Sequence, residues 1–374
     1  MPMRKKHSNK HNSGRLKTRT TVKLFIFSAG FLLLSYLLIL LAKNNTSFVD
    51  DIFVPWSVWI MDVVSKITGW FRFSFTEVAI YISVTAFIIS FIILIKNLIQ
   101  KQYRFRYLFR YIAVLLFICS MGVFIFYSSW GLSYYSAGIA DSLELDVKER
   151  SIDELVELNR YLISKANDLS KTVERDENGS FTGYDFSVYA DKAADAFSSY
   201  TGKDEAIPKY VMMSPLWSYT QTTGVFIPLT GEALINSNDK ALALPYTMAH
   251  EIAHRNCVTH ENEANFLAFY TLRGSADTYL EYSAYSFALI YCMNSLHAAD
   301  YEKWDELAKT YSEELTSDYT EYSRHWDKYK GRVADISTQI NDNYLKSNGQ
   351  EDGVQTYGQV TDLILAWYDK EVME

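Results

Sequence analysis

The chain has only three cysteines in 374 residues, Cys119, Cys257 and Cys292. That is too few for the disulfide framework of a small secreted scaffold, and no four-cysteine zinc spacing occurs. Cys119 lies in an apolar run and reads as a small core or lipid-facing residue, while Cys257 and Cys292 are either buried thiols or one bridge between adjacent helices. No glycine-rich phosphate loop and no heptad repeat is present, so neither a nucleotide-binding loop nor a coiled coil is expected. Acidic residues are missing from residues 1–23 and again from 96–110, whereas basic ones are plentiful in both.

That uneven charge divides the chain. Residues 1–130 hold 16 lysines and arginines against 4 acids, and the remainder holds 20 against 40, giving +12 and −20 within a net −8. A near-neutral balance thus hides a basic, apolar half and an acidic half. The acidic half would repel phosphates, so no nucleic-acid partner is expected. Hydrophobic residues at 49% and aromatics at 16% are high for a wholly soluble protein.

Eight basic residues (Arg4, Lys5, Lys6, Lys10, Arg15, Lys17, Arg19 and Lys23) precede an uncharged run from Leu24 to Ala42. The run is long enough to span hydrocarbon as a helix. It is too long for a signal-peptide core and has no small-residue cleavage site behind it. Further uncharged runs cover Val78 to Ile95 and Tyr111 to Trp130. Between the first two, residues 43–77 interleave Trp56, Trp59 and Trp70 with apolar residues, which predicts an amphipathic segment at the membrane interface. Five basic residues occupy 96–110 and three occupy 43–77. The positive-inside rule then puts the N-terminus in the cytoplasm and residues 131–374 outside, with the basic tail held against anionic lipid.

Beyond Trp130 the periodicity is mostly helical. Leu155, Leu158, Leu162 and Ile163 follow a Ser151-Ile152-Asp153-Glu154 start signal, which predicts a helix over 152–169, and Asp185 to Tyr200 reads as another. Pro208, Pro215 and Pro228 punctuate short β-branched or aromatic runs, so Gly224 to Ile227 and Thr230 to Ile235 are expected strands. A long tyrosine-rich helix follows over Ala276 to Leu296. Acidic helices cover 300–346, a connection runs from Tyr344 to Gly358, and Gln359 to Val372 forms a last helix.

The chemistry concentrates in Leu244 to Phe269. His250-Glu251-Ile252-Ala253-His254 is an H-E-x-x-H pattern, in which residues four apart on a helix present two imidazoles to one metal ion. Glu251 stands one step round, beside the open coordination position, where a general base is needed. Nitrogen-rich ligands point to Zn2+ rather than calcium or magnesium. Two third ligands are in reach. His260, six residues after His254, has the metzincin spacing, but that pattern needs glycine where this chain has Cys257. Glu263 lies nine residues after His254. On an unbroken helix it would point about 220° away from His250, so the helix must end near Asn256 and a second begin near Thr259, carrying Ala264, Leu267, Ala268 and Thr271 against the first. The glycine requirement favours Glu263. Tyr282 and Tyr285 are candidate hydrogen-bond donors to a tetrahedral intermediate, with aromatic packing as the plainer role. Asp277 and Glu281 could offer a more distant carboxylate, and Glu232 is expected to be solvated beside its turn.

The run from Gly224 to Phe269, with GVFIPLTGEALIN, LPYTMAHEIAH and ENEANFLAF, resembles a family of bacterial membrane proteins catalogued as domain of unknown function 3810. So do WGLSYYSAGIA, Trp130 to Ala140, and INDNYLKSNGQEDGVQTYGQVTDLILAWY, Ile340 to Tyr368. That family in turn resembles zincin-like metallopeptidases. The resemblance implies His250, His254 and Glu263 as zinc ligands and Glu251 as the base, and the chain departs from the pattern at Cys257 and His260.

The expectation is a mainly α protein. Three N-terminal transmembrane helices near 24–42, 78–95 and 111–130 form a membrane domain (1–130). A predominantly helical zincin-like extracytoplasmic domain (131–374) follows, with a small β element before the motif helix. It would be a zinc metallopeptidase of the bacterial cell membrane acting on a peptide or protein. The alternatives are a non-catalytic receptor or scaffold with a structural metal site, and a metal-dependent amidase acting on cell-wall peptides.

Overall fold

Each of the three apolar runs becomes one long helix, Arg19–Lys43, Phe75–Gln100 and Phe105–Ser129. At 1.5 Å per residue, 25 or 26 residues exceed the hydrocarbon thickness of about 30 Å. The computed structural model of the protein describes residues 5–100, 104–148, 150–348, 350 and 357–373. Arg4 of the basic tail, Lys101 of the second basic stretch and residues 351–356 of the connection expected before the last helix lie outside them. The first and third spans pack along each other, with the second against the third. Their remaining surfaces are bare apolar side chains, as helices facing lipid require.

Residues 43–77 form the expected amphipathic segment. After a short turn it becomes a strap helix, Val54–Gly69, started by Pro55 in its first turn. One side buries the small or flexible residues Ser57, Met61, Ser65 and Thr68. The other leaves Trp56, Trp59, Val63 and Ile67 exposed.

Strands β1 (Lys209–Tyr210), β2 (Gly224–Ile227) and β3 (Glu232–Ile235) form one sheet in the order β1-β3-β2, with β1 parallel and β2 antiparallel to β3. Two strands are those expected; the two-residue β1 is too short to leave a sequence period. The sheet is bolted to the second span. Glu232, expected to be solvated, is buried, and its carboxylate accepts from the Phe75 and Thr76 amides at 2.9 and 2.7 Å and from Lys209 Nζ at 2.8 Å. It therefore caps a helix N-terminus whose first amides have no partners within the helix.

The remaining helices surround one core. Ser151 and Glu154 close a reciprocal capping box on Ile152–Ser170. The helices Phe186–Thr201 and Thr278–Ala299 pack on both the motif helix Leu244–Arg255 and its partner Glu261–Leu272; the final helix Tyr357–Tyr368 packs on that partner, and Ile152–Ser170 packs behind Thr278–Ala299. Met248, Ala249, Ile252 and Ala253 of the motif helix are fully buried. Tyr344, expected to open a connection, instead lies within the helix Arg332–Ser347. The three thiols are free: Cys257 and Cys292 are both buried and unbridged.

Removing Glu232 alone strands the buried Lys209 ammonium. Glu232→Ala is expected to destabilise the detergent-solubilised protein by about 3–5 kcal/mol, read as a lower thermal midpoint. Glu232→Gln combined with Lys209→Met, which removes both charges, should cost less. Burial works to raise the Glu232 pKa, but Lys209, Thr76 and the Phe75 amide outweigh it and hold it below the ordinary carboxyl value. Its stabilisation is therefore complete at neutral pH and is lost as acidification reaches that lowered pKa.

Candidate metal centre

The motif helix ends at Arg255, where a buried guanidinium donates to Glu205 Oε2 and to the Ala206 carbonyl, both at 2.7 Å. The chain then reverses through Cys257, whose φ is +66°. This is the left-handed geometry that the related motif reserves for glycine, and it costs a non-glycine residue roughly 1–2 kcal/mol. The partner helix starts at Glu261, with His260 rather than Thr259 at its N-cap position.

This turn brings Glu261, not Glu263, to the two imidazoles. Among the described residues, His250, His254 and Glu261 form a cluster whose ligand atoms all lie within 4.8 Å of one another. His250 Nε2 and His254 Nε2 are 3.0 Å apart. Glu261 Oε2 lies 3.3 Å from the first and Oε1 3.7 Å from the second. Tetrahedral ligands at zinc distances stand about 3.3 Å from one another, so the spacing fits one such ion.

Glu263 sits two residues on, about 200° round the helix. Its Oε1 accepts the Ile139 amide at 2.9 Å and is packed against Gly138, where an added Cβ would meet it at 2.3 Å. Gly138 also holds φ +100°. Glu263 therefore fastens the segment that follows the third span. His260, the other expected ligand, is outside the cluster and sets its ring edge-on to Tyr134 at 6.3 Å. Tyr282 donates to Asp318, which also pairs with Arg175, and Tyr285 packs on Phe269 and Tyr161. Neither faces the cluster. Asp277 caps the start of its own helix, accepting from the Tyr279 and Leu280 amides at 3.0 and 3.2 Å.

The tautomer of His254 suits a ligand. Its Nδ1 donates to the Val258 carbonyl at 2.7 Å, leaving the Nε2 lone pair for the centre. Burial and the neighbouring His250 push its pKa down to about 4. Burial also disfavours a charge on His250, but the hydrogen bond and charge of Glu261, with Glu251, outweigh it and raise its pKa. Glu261, although burial works the other way, is held at about 2 by the two imidazoles.

Glu251 lies under β2. Gly224 is required there, since a Cβ would stand 2.6 Å from Glu251 Oε1 and 2.8 Å from Thr247. Among the described residues Oε2 is buried with no hydrogen-bond partner, and burial pushes the carboxyl up to about 8, with His250 and the Phe226 amide opposing. An unpaired buried carboxyl is costly unless it serves chemistry. Thr223 accepts from Asn236, so by antiparallel alternation Val225 and Ile227 pair with β3. Gly224 and Phe226 then turn their backbone groups to the outer edge of β2, beside Glu251.

Two residues that sequence reasoning passed over approach Glu261. The Tyr134 hydroxyl donates to that of Tyr344 at 3.2 Å, and the Glu261 charge helps raise the pKa of both, after burial. The available signal was their place in the runs Trp130–Ala140 and Ile340–Tyr368.

Residues 55–365 match the model of a protein family described as a protein of unknown function, DUF3810. No curated protein and no solved structure matches the chain.

Zinc uptake requires both imidazoles neutral. His254 satisfies this above about pH 4, so the proton to be displaced is the one on His250, whose pKa stands above 6.5. Zinc affinity, measured by competition with a chromophoric chelator, should therefore rise from pH 6 to pH 8. Glu261→Gln should lose more than the roughly 10-fold typical of an outer-shell partner, while Glu263→Gln keeps its zinc.

Proposed function

The chain belongs to the DUF3810 family, and we propose that it is a membrane-anchored, zinc-dependent hydrolase of peptide bonds. The observation that carries this reading is the set of three ligand groups at zinc spacing beside a buried carboxyl whose Oε2 has no hydrogen-bond partner among the described residues. A structural zinc site closes four protein ligands round its ion, whereas three leave a position for water.

When bound, the zinc ion supplies Lewis acidity, polarising a peptide carbonyl and making water more acidic. His250, His254 and Glu261 would hold the ion, and His254 is fixed in orientation by Val258. The outer edge of β2 offers the Gly224 backbone groups and the Phe226 carbonyl to an extended substrate strand. Glu251 Oε2 takes one proton from water as its oxygen bonds to the carbonyl carbon. It returns that proton to the amide nitrogen as the C–N bond breaks, so one water is consumed and a carboxylic acid and an amine result, which at neutral pH exchange the remaining proton to become a carboxylate and an ammonium. Tyr344, whose hydroxyl accepts from the buried Tyr134, is the hydrogen-bond donor nearest Glu261 from the C-terminal helices. The basic residues before the first span and near 96–110 support a centre on the extracytoplasmic side.

Glu251→Gln should keep stoichiometric zinc and lower hydrolysis of unfolded polypeptides by about 10²–10⁴-fold. Wild-type and variant protein acting identically, both loaded with zinc, would remove the catalytic reading.

A further inference from the structure

The centre is built against the ends of the membrane spans. Trp130 directly follows Ser129, the last residue of the third span, and its indole Nε1 donates to the carbonyl of His254 at 2.8 Å. The left-handed Cys257 rests its Sγ on Ser57 Oγ at 3.0 Å, and Ser57 donates to the Ser129 carbonyl at 2.6 Å. Met61, Trp130, Tyr134, Phe226 and Cys257 form one buried cluster, joining the strap helix, the span end, β2 and the motif turn. An imidazole ligand thus lies one indole away from the end of a span. The headgroup layer is itself about 5–8 Å deep on each side.

The strap helix supplies an independent bearing. Ile52, Trp56, Trp59, Val63, Ile67 and Trp70 recur at three- and four-residue intervals, and all are exposed, Trp70 by 85%. The opposite face carries the sheet: Thr68 Oγ1 donates to the Thr230 carbonyl at 3.0 Å, and Lys209 donates to the Thr68 carbonyl at 2.8 Å. A helix with a tryptophan-rich outer stripe, continuous with three spans, lies in the bilayer interface. Its back is the floor on which β2 and β3 stand.

From these two bearings we propose that the substrate is a polypeptide anchored in the same bilayer and cut close to its own membrane span. The inference rests on the hydrolase reading and adds the substrate's class. An extended chain advances about 3.4 Å per residue, so a strand leaving the bilayer beside the strap reaches the edge of β2 within its first few residues. A free polypeptide or a distant loop gains nothing from this placement.

The test uses the full chain, zinc-loaded, in proteoliposomes. The probe is a single-span reporter carrying a 40-residue unstructured segment of randomised sequence on the domain side. A second reporter has a stably folded domain inserted between span and segment, and a third form is the segment alone in solution. Mass spectrometry maps the cut bonds, and Glu251→Gln protein identifies those made by this centre. The expected result is cuts clustered within about ten residues of the span, with the spaced reporter and the free segment cut at least tenfold more slowly. Cuts spread evenly along the segment, or a spaced reporter cut as fast, overturn the membrane-proximal substrate and leave the hydrolase intact. No cutting of any form by zinc-loaded protein removes the hydrolase reading, and this inference with it.

Discussion

The reversal of the chain between Arg255 and Glu261 is the constraint on which the centre depends. Two helices must meet at an angle that aims a residue of the second at two residues of the first, and the five residues between them set that angle. Cys257 adopts a left-handed conformation that L-residues avoid, a cost of order 1–2 kcal/mol. Surrounding bonds hold it there. Arg255 is anchored by Glu205, the His254 carbonyl is capped by Trp130, and the Cys257 thiol is seated on Ser57. Glycine would enter such a turn without strain but would offer no side chain to the strap helix. The cysteine exchanges backbone ease for a contact with the membrane-proximal segment.

Two sets of buried charges show how structure and chemistry divide the chain. Around Glu232 every group is satisfied: two span amides, a threonine hydroxyl and a lysine surround one carboxylate. Such saturation is what a structural ion pair needs to offset its desolvation. Around Glu251 the opposite holds. Among the described residues its Oε2 has no hydrogen-bond partner, and the buried Nδ1 of His250 has at most the Asn265 side chain beside it. Two imidazole nitrogens stand 3.0 Å apart beside a carboxylate. A polar cluster left incomplete in an otherwise closely packed core is where a bound cation and a reacting molecule would supply the missing partners.

The architecture was largely legible in the sequence because its signals are local. Uncharged runs gave the spans, the three- and four-residue spacing of leucines gave the helix after Ser151, and proline punctuation gave β2 and β3. The helical spacing of His250 and His254 predicted that they would meet. The third group was not legible. Glu261 and Glu263 flank the apolar stripe of the partner helix on opposite sides, so periodicity does not choose between them. The choice is made by the turn at Cys257 and by Gly138, 125 residues before Glu263, whose neighbour Ile139 claims that carboxylate. Glu232 was misread for the same reason. Its partners, Phe75 and Thr76, lie more than 150 residues away, and no local pattern announces them.

The long-range contacts that sequence could not supply are also those that unite the two halves of the chain. A division after Trp130 follows hydropathy, but it cuts through a shared interior. Ser57 and Met61 of the strap, and the amides that open the second span, complete the surfaces of β2, β3 and the motif turn. A chain beginning at residue 131 would expose Phe226 and Cys257, leave the His254 carbonyl without its indole donor, and leave Glu232 without the amides it caps and Lys209 without the Thr68 and Phe73 carbonyls. An anchor that merely tethers a hydrolase needs a linker and no shared core. Here the N-terminal segment forms part of the wall of the fold that carries the His250–His254–Glu261 cluster, so the position of that cluster relative to the ends of the apolar helices is set by side-chain packing.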